Sequence, residues 1–174
     1  SRTIDAGTAT WSPGDNPFCD TYAPILFNQE LRLAAGAHIT AQDLTFAFSA
    51  DAALVLEPGA SLTCTNCTFT SACEGEWWKG IRVEGTTSDG TQSQQYQGRL
   101  SLWSSEVRNA EVGVWCAREL TPNAGDPDHY GGRVFTSNST FRNNITGVRI
   151  ERYHRVVNND EEYNLCYFAN TDFI

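Results

Sequence analysis

Three groups of residues in this sequence have types and spacings suited to chemistry: a carboxylate–imidazole run, a cysteine pair and two arginine–glutamate pairs. Asp126-Pro-Asp128-His129 places two carboxylates and an imidazole side by side, donors that suit a divalent cation. The D-x-D-H run lacks the spaced oxygen ligands of a calcium-binding loop, so it reads as a solvated loop and no metal is assigned. Cys64-x-x-Cys67, with Cys73 close behind, invites a zinc reading. A closed structural zinc site takes four ligands, and Cys19 would have to supply the last. No helix start follows the pair to lower a thiol pKa, which disfavours a redox motif. Cys64 and Cys67 instead read as core or disulfide residues. The disulfide candidates are Cys19, Cys64, Cys67, Cys73, Cys116 and Cys166, whose order allows 15 full connectivities.

Polysaccharide cleavage asks for carboxylates holding Ca²⁺ beside an Arg or Lys base, or for two carboxylates flanking the glycosidic bond. Arg82 with Glu84 and Arg149 with Glu151 are the nearest approach. The strand-like segments TNCTFTS, GIRVEG, RLSLWSSEV, GGRVFTSNSTF and GVRIERYH carry no paired Asp. The Arg/Glu pairs read as opposite charges laddered between neighbouring strands, and no catalytic residue is assigned. Asn66-Cys-Thr, Asn138-Ser-Thr and Asn144-Ile-Thr fit the glycosylation pattern, which corner composition also produces by chance.

The elements that position these residues repeat. Residues 31–46, LRLAAGAHITAQDLTF, and 54–69, LVLEPGASLTCTNCTF, match at an offset of 23. Apolar residues alternate within each copy and break at Gly36 or Pro58-Gly59. They break again between Ala41 and Leu44 or at Thr65-Asn66, before Leu44, Phe46 or Cys67, Phe69 resume, so the segments are short half-buried strands. In this alignment Cys64 and Cys67 fall on Ala41 and Leu44. Residues 102–116, LWSSEVRNAEVGVWC, match 136–150, TSNSTFRNNITGVRI, at an offset of 34. Partial copies are WKGIRVEG at 78–85 and LCYFANTDF at 165–173. Each unit reads as strand, polar corner, strand and return loop. Asn109, Asn143 and Asn144 sit at the corner, where Asn tolerates left-handed backbone. Phe46, Phe69, Val107, Phe141 and Phe173 form one expected apolar column. One such unit cannot bury its own apolar face, so the copies must stack in parallel.

This succession of motifs, over roughly residues 30–174, resembles right-handed parallel β-helix repeats of the pectate-lyase-like kind. It looks most like those of bacterial cell-surface proteins exported by the type IX route. The resemblance implies an all-β, right-handed parallel β-helix (a solenoid) with polar loop insertions on one edge. Residues 1–29 break the period and read as an N-terminal lead-in and capping segment. Residues 30–174 read as the turns, continuing beyond the C-terminus. The open C-terminal edge is expected to meet more of the same chain or a neighbouring subunit.

Polar insertions at 84–98, 117–132 and 151–164 occupy equivalent places in successive units, so they should share one surface. That surface carries the candidate ligand-binding residues Tyr96, Asp126, Asp128, His129, Tyr130, Tyr153, His154, Asp160, Glu161 and Glu162. Rings among carboxylates suit a surface glycan or a protein ligand, although such rings also fold back over a coil as packing.

Of the 174 residues, 40% are apolar and only 19% charged, with a net charge of −9. The charge argues against nucleic acid, whose phosphates require a basic stripe. No apolar run reaches the ~18 residues of a membrane span, and no membrane insertion is expected. Six cysteines and an Asn/Ser/Thr-rich composition point to an extracellular or cell-surface location. The expected function is a non-catalytic structural or adhesive segment of a secreted β-helix protein: a stalk, fibre element or binding platform without a cofactor. The alternative is a carbohydrate-active enzyme, lyase or hydrolase, or a carbohydrate-binding module on the same fold.

Overall fold

The computed structural model describes residues 1–18, 24–87, 96–121, 124–157 and 159–174. Its strands form three parallel six-stranded sheets and two short antiparallel pairs. The sheets are the three walls of a right-handed parallel β-helix, and each turn lays one strand in each wall. Leu31–Leu33, Ala37–Gln42 and Thr45–Phe48 make one turn. Ala53–Leu56, Ser61–Thr65 and Thr68–Ser71 make the next. Leu31 pairs with Leu54, Ile39 with Leu62 and Phe46 with Phe69, so the offset of 23 is the climb of one turn. The offset of 34 is the same climb with a loop inserted, since Val134 pairs with Leu100, Phe141 with Val107 and Val148 with Val114.

Each turn has three strands: the second break at Thr65-Asn66 marks the additional corner in the early copies, whereas the later copies read as two strands. Arg99–Trp103 and Glu106–Arg108 read as one run in the sequence, but Ser104 takes a left-handed conformation at φ 49° and breaks it. Serine is a weak turn signal, and the corner becomes evident only in the stack. Asp43, Asn66, Ser104, Asn138 and Asn170 occupy this corner in successive turns, with φ between 44° and 55°. Inside it, the buried Cys67 N–H donates to Ser105 Oγ at 3.1 Å, and Ser105 N–H donates to Ser139 Oγ at 3.2 Å. The hydroxyls in turn donate to Trp103 O and Ser137 O. A hydroxyl from each turn thus satisfies a buried amide of the turn before it.

The corner between the third and first walls is the one the asparagines marked. Asn109 and Asn143 are left-handed there, at φ 57° and 49°, and Asn143 Nδ2 donates to Asn109 Oδ1 at 2.8 Å. Asn144 acts differently. Its side chain bridges turns, accepting from Ala110 N–H at 2.9 Å and donating to Val107 O at 3.0 Å.

Inward side chains form lengthwise columns, as the repeats require. Phe46, Phe69, Val107, Phe141 and Phe173 lie in register, and Phe46 and Phe69 stack with centroids 5.0 Å apart. A second column stacks Phe27 on Phe48 at 4.9 Å and Phe48 on Trp78 at 4.5 Å. Gly80, beside the bulge where Ile81 shifts register against the next turn, has φ 91°. A Cβ there would lie 1.7 Å from Val112 O, so the bulge depends on glycine.

Within residues 1–29, Arg2–Ile4, Gly7–Trp11 and Ile25–Phe27 are the first strands of the three walls. Pro13, Pro17 and Pro24 lie between the second and third of these strands, and Phe18 packs edge-on against Trp11 and Phe27 at this end of the core. Cys19 and Tyr22 lie outside the described residues. At the far end, Thr146–Ile150, Tyr167–Ala169 and Asp172–Phe173 are the edge strands. They leave Ile150, Tyr167 and Phe173 exposed.

If the columns carry the fold, Phe69→Ala will cost about 3–5 kcal/mol in urea unfolding. Leu26→Ala, at a side chain 65% exposed, will stay within about 0.5 kcal/mol. Equal effects of the two changes would contradict the columnar core.

Candidate functional site

The three insertions all leave first-wall strands and return to second-wall strands. They follow Trp78–Val83, Ala110–Cys116 and Thr146–Ile150, and precede Arg99–Trp103, Arg133–Ser137 and Tyr167–Ala169. A single corner of the coil therefore carries them, because equivalent positions stack.

The first two insertions interlock through backbone. Gly85 N–H donates to His129 O at 3.0 Å and Thr87 N–H to Asp128 O at 3.1 Å. Gln97, buried at the base of the first insertion, accepts from Thr86 N–H at 2.8 Å and donates to Thr86 O at 3.0 Å. Tyr96 is half-buried beside it. In the second insertion, Glu119–Thr121 pairs antiparallel with Ala124–Gly125. The Asp126-Pro-Asp128-His129 run then closes as a capped 3-10 turn. Asp126 accepts from Asp128 N–H at 3.1 Å through one oxygen and meets His129 Nδ1 at 2.7 Å through the other. Tyr130 O–H reaches Gly125 O at 3.3 Å, and Asp128 is exposed. Burial pushes the Asp126 carboxyl up. The Asp128 amide, the His129 side chain and the charge of Arg118 outweigh it and hold the group below the usual aspartate range.

The third insertion projects as a hairpin of His154–Val157 and Asp160–Tyr163. The His154 and Tyr163 rings lie 5.3 Å apart, and Tyr163 O–H donates to the Glu161 carboxylate. Asp160 and Glu161 are exposed, and Glu162 is half-buried opposite Arg155. Tyr153 differs from these residues: it is buried, only 2% exposed, and so packs beneath the insertion. Among the described residues, no group of three or more His, Cys, Asp or Glu side chains stands together as a metal set.

Sequence reasoning missed most of the outer face of the first wall. Glu84, whose side chain is 2% exposed, lies 2.6 Å from Arg118 and 3.7 Å from Arg32. Arg32 also pairs with Glu57 at 3.1 Å and Glu30 at 2.9 Å. Further along, Lys79 pairs with Glu111 at 2.7 Å and Arg82 with Glu119 at 3.3 Å. The cross-turn ladder exists, but its partners differ from Arg82–Glu84–Arg149–Glu151. Arg149 and Glu151 pair with each other at 2.6 Å. Trp115 lies between two guanidinium groups, Arg82 at 4.9 Å and Arg149 at 4.3 Å from its ring. Its Nε1–H donates to Glu151 at 3.0 Å. Burial pulls the Arg82 pKa down against the opposing pull of Glu119. The signal available in advance was the register of Trp115 beside Arg82, which stacks an aromatic face on a cation.

Compared with protein-family models, with curated proteins and with solved structures, the chain matches none. Its class therefore rests on its own geometry: an all-β parallel solenoid with a loop surface on one corner and an ion-paired outer wall.

Two outcomes follow for this surface. Glu84→Ala removes the carboxylate shared by Arg32 and Arg118, and will lower unfolding stability by about 2 kcal/mol. The effect stays modest because both arginines retain access to water. The lowered Asp126 pKa means its capping contribution is complete above the ordinary aspartate range and disappears as pH falls through the folded value. An NMR titration of the Asp126 carboxyl should show a midpoint below that of an unstructured peptide, and a midpoint above it would refute the cap.

Proposed function

We propose that this chain is a non-catalytic segment of a secreted or cell-surface β-helix protein of the pectate-lyase-like kind. It serves as a rigid stalk or fibre element whose loop corner is a binding platform. The observation supporting this most directly is the engagement of the wall's charges with one another. Glu30, Glu57, Glu84, Glu111, Glu119 and Glu151 each pair with a cation of the same face. A carboxylate held this way stiffens the wall and is poorly placed to hold Ca²⁺ or to protonate a leaving group. The similarity to surface proteins of the type IX kind belongs to the same proposal and rests on the repeat motifs.

The loop corner offers exposed Asp128 on the second insertion, and exposed His154, Asp160 and Glu161 on the third, where the His154 and Tyr163 rings face each other. That mixture suits a glycan or a protein segment with hydroxyls and some basic character. At the far edge, the proposed partner is a further turn, from the same chain or a neighbouring subunit, covering Ile150, Tyr167 and Phe173.

The test is turnover and binding measured on the same panel of acidic and neutral polysaccharides, with and without Ca²⁺. We expect no new reducing or unsaturated ends. Cleavage that disappears in Arg149→Ala or Glu151→Gln would replace this proposal with the enzyme reading.

A further inference from the structure

Two cysteines far apart in sequence meet at the insertion corner. Cys116 ends the strand Ala110–Cys116 and pairs in register with Ile150 of the next turn. Cys166 immediately precedes Tyr167–Ala169, where Tyr167 pairs with Phe135, so Cys166 occupies the position that Val134 holds one turn earlier. Both sulfurs point to the inner side of the corner, and Cys116 Sγ lies 3.9 Å from Cys166 Sγ. Cys116 is buried, whereas Cys166 is partly exposed and also lies 3.7 Å from Gly132 O.

We propose that Cys116 and Cys166 form a thiol–disulfide exchange site, which a small-molecule disulfide converts into a covalent link between the last two turns. The two sulfurs divide the work by their surroundings. The contact with Cys116 lowers the Cys166 pKa; burial opposes it, while the Val134 amide and the Arg133 charge add to the lowering. The same contact, together with burial, raises the Cys116 thiol well above its ordinary range. Cys166 is therefore the group that presents a thiolate to solvent.

The exchange balances with oxidised glutathione as the oxidant. The Cys166 thiolate attacks one sulfur of the glutathione disulfide, forming a mixed disulfide and releasing one glutathione thiolate. That thiolate takes up the Cys116 proton. Cys116 then attacks the Cys166 sulfur, completing the protein disulfide and releasing the second glutathione. Two protein thiols are oxidised and one glutathione disulfide is reduced to two thiols. Closing from 3.9 Å to bonding distance requires movement of ~2 Å. Cys166 immediately precedes its strand, outside the paired residues Tyr167–Ala169, and is only partly buried, which leaves room for that movement.

The link would tie the base of the third insertion to the turn beneath. Cys64 and Cys67 are the internal comparison, since they also contact each other across a corner. Cys64-x-x-Cys67, however, would close only a short loop within one turn and fasten no turn to another.

The experiment uses the full chain, purified reduced, incubated with oxidised glutathione, alkylated and mapped without reduction. We expect a linked peptide pair containing Cys116 and Cys166, and a thermal midpoint raised by roughly 5 °C or more. Cys166→Val, which repeats the residue one turn below, should keep the reduced protein's midpoint and abolish the oxidant-dependent rise. Cys116→Ala tests the same link from the other side. The proposal fails if both thiols remain alkylatable after oxidation. It fails equally if Cys166 accumulates only a glutathione adduct, or if the linked peptides join either residue to another cysteine.

Discussion

A turn of this protein has no core of its own. Its strands are two to seven residues long, too short to form an independently stable hairpin. Each acquires its hydrogen bonds and its buried face only from the turns above and below, about 4.8 Å away. This parallel stacking is the constraint from which the other features follow. It requires side chains at equivalent positions to tolerate their own kind as neighbours. Stacked phenylalanines do so inside. On the outer face of the first wall Arg32, Val55, Arg82, Trp115 and Arg149 lie in register, and glutamates from neighbouring positions balance the arginines. It also requires every corner to bend identically, which is why Asp43, Asn66, Ser104, Asn138 and Asn170 share one backbone conformation.

Stacking also explains how the loop corner arises. The walls accept no extra residue without losing register, apart from the bulge at Gly80. Length is therefore added where a strand ends and the chain turns. Since the same corner receives the addition in three successive turns, the insertions become neighbours. The first two then hydrogen-bond to each other through Gly85, Thr87, Asp128 and His129. The polar corner thus becomes a shaped surface with a buried base, formed by Gln97 and Tyr153, and an exposed rim.

The ion-paired wall has the same origin. Parallel strands in register bring residues of adjacent turns to a fixed separation, so opposite charges on neighbouring turns, such as Arg32 with Glu57 and Lys79 with Glu111, meet without long-range design. Glu84 is the exception that marks a constraint. It is buried between Arg32 of an earlier turn and Arg118 of a later one, and its removal would leave two cations facing each other. Trp115, flanked by Arg82 and Arg149, performs a similar service with a ring instead of a carboxylate.

The chain alone determined the climb of the coil, the column from Phe46 to Phe173 and the shared corner of the insertions. Each follows from short-range alternation and from spacing that any stacked repeat must keep. The Asp126–His129 contact was also local enough to be suspected, although its use as a turn cap was not. Only the tertiary structure decided that the third wall continues through the later turns, because the break at Ser104 depends on neighbouring turns holding an unfavourable backbone conformation. It alone decided that Tyr153 is buried, that Glu84 bridges two arginines and that Cys116 faces Cys166. These relations join residues tens of positions apart, and no periodicity encodes which side chains meet across a corner once loops of unequal length have been inserted.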